Sequence, residues 1–252
     1  MKRLLLILGS LLILVIWPAS SALDKDALRQ AISGPDRDAN DLLRDEARKP
    51  VEVLDFLGVD EGMSVLDVYA AGGYYTFILS KAVGPTGVVY AQNTEQGLSF
   101  QEGRQYISQG DAFNSKILGG NIENVTHILA PIDQLQIPAQ SLDMILLAQS
   151  LHDFYNSDPE RARTILEQLG TLLKPDGVIG IIDHVGLEGQ GNSHMHRMEK
   201  QQAIDVAQLA GYELIEESDL LKNKDDAHIR HVFHPTLNRN TDRFLFKFQK
   251  AE

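Results

Sequence analysis

The stretch that decides the fold is Val65-Leu66-Asp67-Val68-Tyr69-Ala70-Ala71-Gly72-Gly73-Tyr74-Tyr75-Thr76. Its first four residues predict a buried strand, residues 70–73 are small, and a helix is expected to follow. In α/β sheets such a turn brings a nucleotide-like ligand close to the backbone, because a larger side chain would block the approach. Asp67 ends the predicted strand, where its carboxylate can face the polar end of a ligand. The N-terminus of the following helix offers free N–H groups.

The full dinucleotide fingerprint, G-x-G-x-x-G, is absent from this loop. The loop residues alone therefore fit two interpretations, a ligand-binding turn and a strand-to-helix turn that only packs tightly. The remainder of the chain has to distinguish them.

Residues 1–22 have the layout of a secretory signal peptide. Lys2 and Arg3 precede an apolar run from Leu4 to Trp17, and small residues follow up to Ala22. The run is shorter than the roughly 20 residues that span a bilayer comfortably. We expect a cleaved signal and a periplasmic or secreted protein without stable membrane association; an uncleaved anchor is the alternative. The chain has no cysteine, so disulfides cannot contribute to its stability.

The charge of the chain excludes some classes of partner. Its formal net charge is -12, and residues 1–22 carry two cations and no anions, so the remainder is near -14. A surface this negative repels phosphate backbones, and the sequence has no basic stripe. We therefore expect a small-molecule substrate and no nucleic acid. The sequence does not indicate an oligomeric state.

Beyond a helical segment at 23–57, predicted strands and helices alternate through a main domain at 58–252. Such alternation predicts a doubly wound, mostly parallel α/β sheet, and the alternating residues near the end predict an edge-like antiparallel last strand. A sharp turn is expected at 174–177. The predicted strands cover 64–68, 87–91, 125–129, 142–147, 178–182, 212–217 and 243–249, and the helices of this domain cover 75–83, 100–117, 158–173 and 198–209.

This order of features resembles the class I S-adenosylmethionine-dependent methyltransferases. The resemblance rests on the loop after the first strand, on strand 142–147, on Leu172-Leu173-Lys174-Pro175-Asp176-Gly177, and on the late antiparallel strand. Residues 70–76, His152-Asp153 and Thr241-Asp242-Arg243-Phe244 look closer still to a group of exported bacterial predicted methyltransferases. The resemblance implies a Rossmann-like, seven-stranded sheet whose last strand is antiparallel, and S-adenosylmethionine as the cofactor.

The same resemblance implies a cofactor site at the carboxyl edge of the sheet. Asp67 matches the acid near the methionine part of the cofactor, Gly73 matches the last glycine of the family loop, and Asp133 is placed to meet the adenine amino group. The implied cofactor-binding residues are Asp67, Tyr69, Ala71, Gly72, Gly73, Asn93, Asp133 and Gln149.

Two features depart from the family pattern. Tyr69 and Ala71 stand where the family prefers glycine, so the Tyr69 side chain must point away from the ligand or cover it. Asn93 stands where the family has an acid that binds both ribose hydroxyls, and a neutral amide makes weaker hydrogen bonds than a carboxylate.

The candidate catalytic residues follow strands four and five. His152 is a candidate general base, because the usual pKa of histidine lies near neutrality. Asp153 or Asp183 would orient it, and His184 lies on the same edge. The alternative is that His152 only caps a helix or bonds to backbone.

Histidines recur at 228, 231 and 234, and His194 and His196 precede them. Spacing of three fits neither one face of a strand nor a common zinc motif. We therefore interpret them as surface histidines and expect no metal.

Four functions compete at this point. The leading one is an exported methyltransferase that acts on an unidentified small molecule. The second is a non-catalytic ligand-binding protein on a methyltransferase scaffold, which would explain the departures at Tyr69 and Asn93. A nicotinamide-dependent reductase and a metal-binding protein are the others.

Overall fold

The computed structural model describes residues 22–35, 37–102, 106–120 and 122–251. The predicted signal peptide lies outside this range, apart from Ala22. Within the described range, no helix is both long and apolar enough to cross a membrane.

In the described residues, seven strands form a single sheet. Their bounds are β1 Ser64–Val68, β2 Val88–Asn93, β3 Val125–Leu129, β4 Leu142–Ala148, β5 Leu173–His184, β6 Tyr212–Ser218 and β7 Arg243–Lys250. The strand order is β3-β2-β1-β4-β5-β7-β6. The strands β1 to β5 pair with one another in parallel, and β7 runs antiparallel to both β5 and β6. The predicted mostly parallel, seven-stranded sheet with an antiparallel last strand is confirmed.

Nine α-helices lie in the described residues. They are α1 Lys25–Ile32, α2 Ala39–Arg48, α3 Pro50–Leu57, α4 Tyr74–Ala82, α5 Glu95–Ser99, α6 Gln109–Phe113, α7 Leu151–Ser157, α8 Pro159–Leu172 and α9 Lys200–Leu209. The sequence anticipated α4, α8 and α9 within two residues at each end. The long helix expected over 100–117 is instead α6, continued by a wider turn at Asn114–Leu118.

Two hydrophobic clusters cover the two faces of the sheet. One packs Val65 and Leu146 against α3 and α4, and the other packs Leu66 and Leu147 against α8 and α9. Side chains alternate between the faces of a strand, so a strand covered on both faces has to be apolar at nearly every position. This requirement explains the nearly continuous apolar run of β4.

The last strand is an interior strand, so the expectation of an edge-like strand was wrong. Phe244, Phe246 and Phe248 are fully buried on one face, and Leu245 is fully buried on the other. The edge strand on this side of the sheet is β6, whose residues Glu213, Glu216 and Glu217 are exposed. The alternation in β7 reflects its two buried faces, one aromatic and one mixed, and not exposure to solvent.

The turn expected at 174–177 lies within β5. Pairing between β4 and β5 passes from Leu142–Leu173 directly to Met144–Val178, so the four residues bulge out of register. A bulge of this kind keeps the strand continuous while its backbone bends.

The helix α3 is seated on the sheet through a single small residue. A Cβ atom at Gly180 of β5 would lie 2.6 Å from Cδ1 of Leu57, which is fully buried. The absence of a side chain at position 180 therefore sets the distance between α3 and the sheet.

We expect Gly180→Ala to lower the free energy of unfolding by roughly 1–3 kcal/mol, because the added methyl group has to displace Leu57 in a packed core. Urea denaturation measures the change. The control is Gly191→Ala, since nothing lies within 4 Å of a Cβ at Gly191. Equal effects of the two substitutions would contradict this account of how α3 is seated.

Candidate functional site

The loop after β1 is strained. Tyr69 and Ala71 both have φ of 52°, and Gly73 has φ of 81°. The left-handed region costs a residue with a Cβ atom on the order of 1–3 kcal/mol, and such residues persist only when their surroundings hold them. The two departures from glycine therefore retain the backbone path that glycines would follow, at an energetic cost.

The side chains at the end of β2 hold this loop. The Oε1 atom of Gln92 accepts a hydrogen bond from the Tyr69 N–H at 2.9 Å, and Oδ1 of Asn93 accepts one from the Ala71 N–H at 2.8 Å. The Nδ2 atom of Asn93 also donates to the carbonyl of Ala71 at 3.4 Å. An amide can accept from and donate to one backbone residue, whereas an ionised carboxylate can only accept. Asn93 in place of an acid is thus coupled to the non-glycine loop.

The reason for glycine at position 72 is a neighbouring carboxylate. A Cβ atom there would lie 2.4 Å from Oε2 of Glu102. Glu102 is buried and pairs with Arg44 of α2 at 2.7 Å. The sequence predicted that small residues here admit a ligand; in the structure the Glu102 side chain makes that close approach.

Asp67 is buried at the end of β1 and accepts a hydrogen bond from the Thr76 hydroxyl of α4 at 2.7 Å. Burial raises the pKa of Asp67 to about 7, although the hydrogen bonds from Thr76 and the charge of Arg48 act in the opposite direction. The carboxyl group therefore ties the first strand to the start of α4.

A cavity of about 440 Å³ opens beside the loop. It is lined by Tyr69, by Asp133 in the turn after β3, and by the first turns of α8, including Glu160 and Arg161. The Tyr69 ring contacts the Phe154 ring edge-on at a centroid distance of 5.2 Å. The side chain of Tyr69 thus covers one wall of this cavity.

His152 is buried in the first turn of α7 and is oriented by Asp183. Its Nδ1 atom lies 2.7 Å from Oδ1 of Asp183, and its backbone N–H donates to Oδ2 of the same residue at 2.8 Å. Asp183, at the end of β5, is fully buried. The geometry is compatible with both interpretations of His152, as a general base and as a structural residue. The Asp183 carboxylate orients the His152 ring, and it also accepts a hydrogen bond from the backbone N–H of His152.

The electrostatics of the two candidate histidines differ. Burial lowers the pKa of His152, but Asp183 and Asp153 outweigh it and raise the value to about 10. Burial and the charge of His152 hold the pKa of His184 well below its usual range. The His184 Nδ1 atom lies 2.7 Å from the Thr241 hydroxyl, and its ring centroid lies 5.8 Å from that of His152.

Arg48 was not recognised in the sequence. Its guanidinium lies 4.3 Å from the centroid of the Tyr74 ring and donates to Oε1 of Gln149 at 3.0 Å. Gln149, which follows β4, has a φ of 63°. The only sequence signal was a cation at the end of a helix, and its partner lies 101 residues away.

The predicted site residues lie in three groups in the structure. Asp67, Ala71, Gly72, Gly73 and Asn93 surround the loop, Tyr69 and Asp133 line the cavity, and Gln149, His152, Asp153 and His184 follow β4 and β5. All lie at or just beyond the carboxyl ends of parallel strands, which is the edge where α/β sheets bind ligands.

Comparison with known proteins supports the class I methyltransferase fold. No family model matches the chain. A demethylmenaquinone methyltransferase of Geobacillus stearothermophilus is 28% identical over 127 residues, and one of Lactobacillus johnsonii is 30% identical over 129 residues. These alignments cover 50% of this chain and 47% and 46% of the relatives, so the chain spans about half the length of the curated relatives it matches.

Solved structures share the fold over more of the chain. A SAM-dependent methyltransferase from Aquifex aeolicus superimposes with a TM-score of 0.61 at 21% identity, covering 90% of this chain and 99% of that one. The cyclase SpnF superimposes with a TM-score of 0.58 at 16% identity, covering 81% and 80%. The chain therefore has the Rossmann-like class I methyltransferase fold, and this fold is also found in a protein described as a cyclase.

We expect Ala71→Gly to leave the free energy of unfolding unchanged or to raise it by up to about 1 kcal/mol, because glycine removes the left-handed strain. The matched control is Ala70→Gly, one residue earlier, where φ is not positive. That change should destabilise by roughly 0.5–1 kcal/mol. Thermal and urea denaturation report both, and a destabilising Ala71→Gly would contradict the strain.

We expect the free energy of unfolding to decrease as the pH rises from about 4 to about 7, because of Asp67. Its pKa is higher in the folded chain than its ordinary value of 3.8, so the folded state retains a proton that the unfolded state releases in this window. The contribution is about 1.4 kcal/mol for each unit by which folding raises the pKa. In Asp67→Asn this part of the pH dependence should vanish. The free energy of unfolding is measured by urea denaturation at several pH values. If it changed with pH equally in the unchanged protein and in Asp67→Asn across this window, the raised pKa would be refuted.

Proposed function

We propose that this protein is an S-adenosylmethionine-dependent methyltransferase that acts on a small molecule. The observation that carries the proposal is the left-handed loop after β1, held open by Gln92 and Asn93, in a sheet with methyltransferase strand order. The partial matches to demethylmenaquinone methyltransferases support the same reaction class.

The residues around the loop fit S-adenosylmethionine. The loop leads into the N-terminus of α4, where the N-cap residue Gly73 has no capping side chain and Asp67 accepts hydrogen bonds from the hydroxyl and the backbone of Thr76. The adjoining cavity between Tyr69 and Asp133 falls within the usual size range for small-molecule sites. Its lining has three carboxylates, Asp133, Asp158 and Glu160, against one cation, Arg161, and this excess of negative charge suits a ligand that carries positive charge. When bound, this cofactor supplies a methyl group activated by a cationic sulfonium.

The residues of this chain would bind and position the two reactants. Asp67 and the backbone of residues 69–73 would hold the methionine part, and Asp133 the adenine part. His152 and His184, beyond the neighbouring strands, would contact the acceptor. Methyl transfer is an in-line displacement, so alignment of the reactants accounts for much of the rate.

The acceptor is proposed to be a small molecule. The strongly negative net charge disfavours nucleic acid, as the sequence indicated. Because Asn93 already bonds to Ala71, it offers the ribose less than a free carboxylate would. We therefore expect cofactor affinity in the micromolar range.

The proposed location is outside the cytoplasm. Lys2, Arg3, the apolar run and the small residues up to Ala22 support a signal peptide. Mass spectrometry of the N-terminus of protein from the periplasm tests it: a mature chain that begins at Leu23 is expected, and a retained Met1 would indicate an anchor.

A non-catalytic binding protein on the same scaffold is the second candidate. Two contacts favour it: the Glu102 carboxylate against Gly72, and the Asn93 amide engaged by the loop. Both occupy positions beside the predicted cofactor.

Titration calorimetry with S-adenosylmethionine and S-adenosylhomocysteine distinguishes the two candidates. We expect micromolar binding to the purified protein, weakened at least tenfold in Asp67→Ala. The matched control is Asp143→Ala, a half-buried carboxylate near the opposite end of its strand that pairs with Lys174.

Binding that survives in Asp67→Ala and Asp143→Ala alike would place the cofactor elsewhere. No binding at millimolar ligand would reject the methyltransferase and favour the binding protein.

A further inference from the structure

Three metal-binding side chains converge beyond β4 within the described part of the chain: His152, Asp153 and His196. The Oδ1 atom of Asp153 lies 3.1 Å from His152 Nε2 and 3.1 Å from His196 Nδ1. The two nitrogens lie 3.4 Å apart. Ligands bound at 2.0–2.2 Å to a tetrahedral Zn²⁺ lie roughly 3.3 Å from one another. The three atoms therefore already have the separations that such an ion imposes.

A buried carboxylate orients the first of these ligands. Asp183 is fully buried, and its oxygens receive the backbone N–H groups of His152 and His184, each at 2.8 Å. Its Oδ1 atom also lies 2.7 Å from His152 Nδ1. When a metal binds, His152 keeps the proton on Nδ1, which faces Asp183, and releases the proton on Nε2, so that the Nε2 lone pair is turned towards Asp153 and His196. A carboxylate that orients a histidine in this manner is the usual outer shell of a zinc site.

The second histidine is brought in by a separate, well-anchored segment. His196 follows the turn Ser193–Met195 with a φ of 52°. The next residue, Arg197, is fully buried, pairs with Asp226 at 2.9 Å and donates to the carbonyl of Val185 at 2.9 Å. A left-handed conformation at a residue other than glycine is costly, and residues of this kind cluster at ligand sites.

Charge and exposure fit a divalent cation with an open coordination position. Asp153 and Asp183 contribute two negative charges beside two imidazoles, which matches the charge of the ion. The side chains of Asp153 and His196 are 56% and 41% exposed, so one side of the cluster faces solvent. Three protein ligands and a solvent-facing fourth position are typical of zinc sites that act on bound molecules.

We propose that His152, Asp153 and His196 bind a divalent transition-metal ion, best matched by Zn²⁺, and that Asp183 is the positioning residue that orients His152. Two imidazole nitrogens and one carboxylate oxygen favour such ions over Mg²⁺ and Ca²⁺, which prefer oxygen ligands. The site does not depend on the methyltransferase activity.

The sequence predicted no metal because it grouped His196 with the other late histidines and did not consider His152 and Asp153 as its partners. His228 is instead held by Asp242 at 2.8 Å, and His234 is exposed. The two proposed histidine ligands, His152 and His196, are 44 residues apart in the chain and do not form a common spacing motif.

Metal binding by the full-length, chelator-treated protein tests the proposal. We expect equilibrium dialysis against micromolar Zn²⁺, followed by elemental analysis, to give one ion per chain. His196→Ala and Asp153→Asn should each weaken binding at least about tenfold. Co²⁺ should give the intense visible absorption of a tetrahedral site, and the same two variants should lose it.

The matched control is His194→Ala, which removes an exposed histidine two residues from His196. Its binding should equal that of the unchanged protein. Circular dichroism checks the fold of every variant. Because His196 and Asp153 are both partly exposed, either substitution alone is sufficient as a test if the other variant does not fold.

Three outcomes would overturn the site: no Zn²⁺ bound by the unchanged protein, equal binding in all variants, or loss in His194→Ala alone. S-adenosylhomocysteine titration of the same preparations reports the cofactor site separately, so failure of one proposal is distinguishable from failure of the other.

Discussion

The carboxyl edge of the sheet depends on the hydrogen bonds between two side-chain amides and the loop after β1. Gln92 and Asn93 bind the N–H groups of Tyr69 and Ala71, and both amides are buried. Without these partners, two partly buried N–H groups would lose their hydrogen bonds, at a cost of at most about 1–3 kcal/mol each. The amides thereby offset the left-handed strain of a loop that has few glycines, and they fix the start of α4.

Asp183 has the equivalent role on the other half of the same edge. It lies at the end of β5, accepts hydrogen bonds from the backbone N–H groups of His152 in α7 and of His184, and orients the His152 ring. Because all its bonds are made in the dry interior, the positions of His152 and His184 are tied to the sheet and not to a mobile loop. The candidate acceptor-binding residues and the proposed metal ligands share this support.

The N-terminal helices join the two halves of the edge. Arg48 at the end of α2 lies over the Tyr74 ring and reaches Gln149 after β4, while Arg243 of β7 donates to the carbonyl of Ala47 at 2.6 Å. Arg44 of the same helix pairs with Glu102 beside Gly72. Movement of α2 would therefore alter the surroundings of the loop and of the residues after β4 together. Three basic side chains, Arg44, Arg48 and Arg243, thus support the candidate site, although the chain as a whole is acidic.

The sequence by itself determined the sheet. Alternating apolar strands and helices specify a doubly wound sheet, because each buried face demands apolar residues at a fixed period. Asp67, His152 and His184 could be placed at its carboxyl edge for the same reason. The antiparallel direction of the last strand in a seven-stranded sheet was implied by the resemblance to class I methyltransferases. The loop's left-handed conformation and its amide partners, the contacts of Glu102 and Arg48, and the meeting of His152 with His196 were decided only by tertiary structure. These contacts join residues from about 20 to 100 positions apart, and no local periodicity or propensity records which distant side chains will meet.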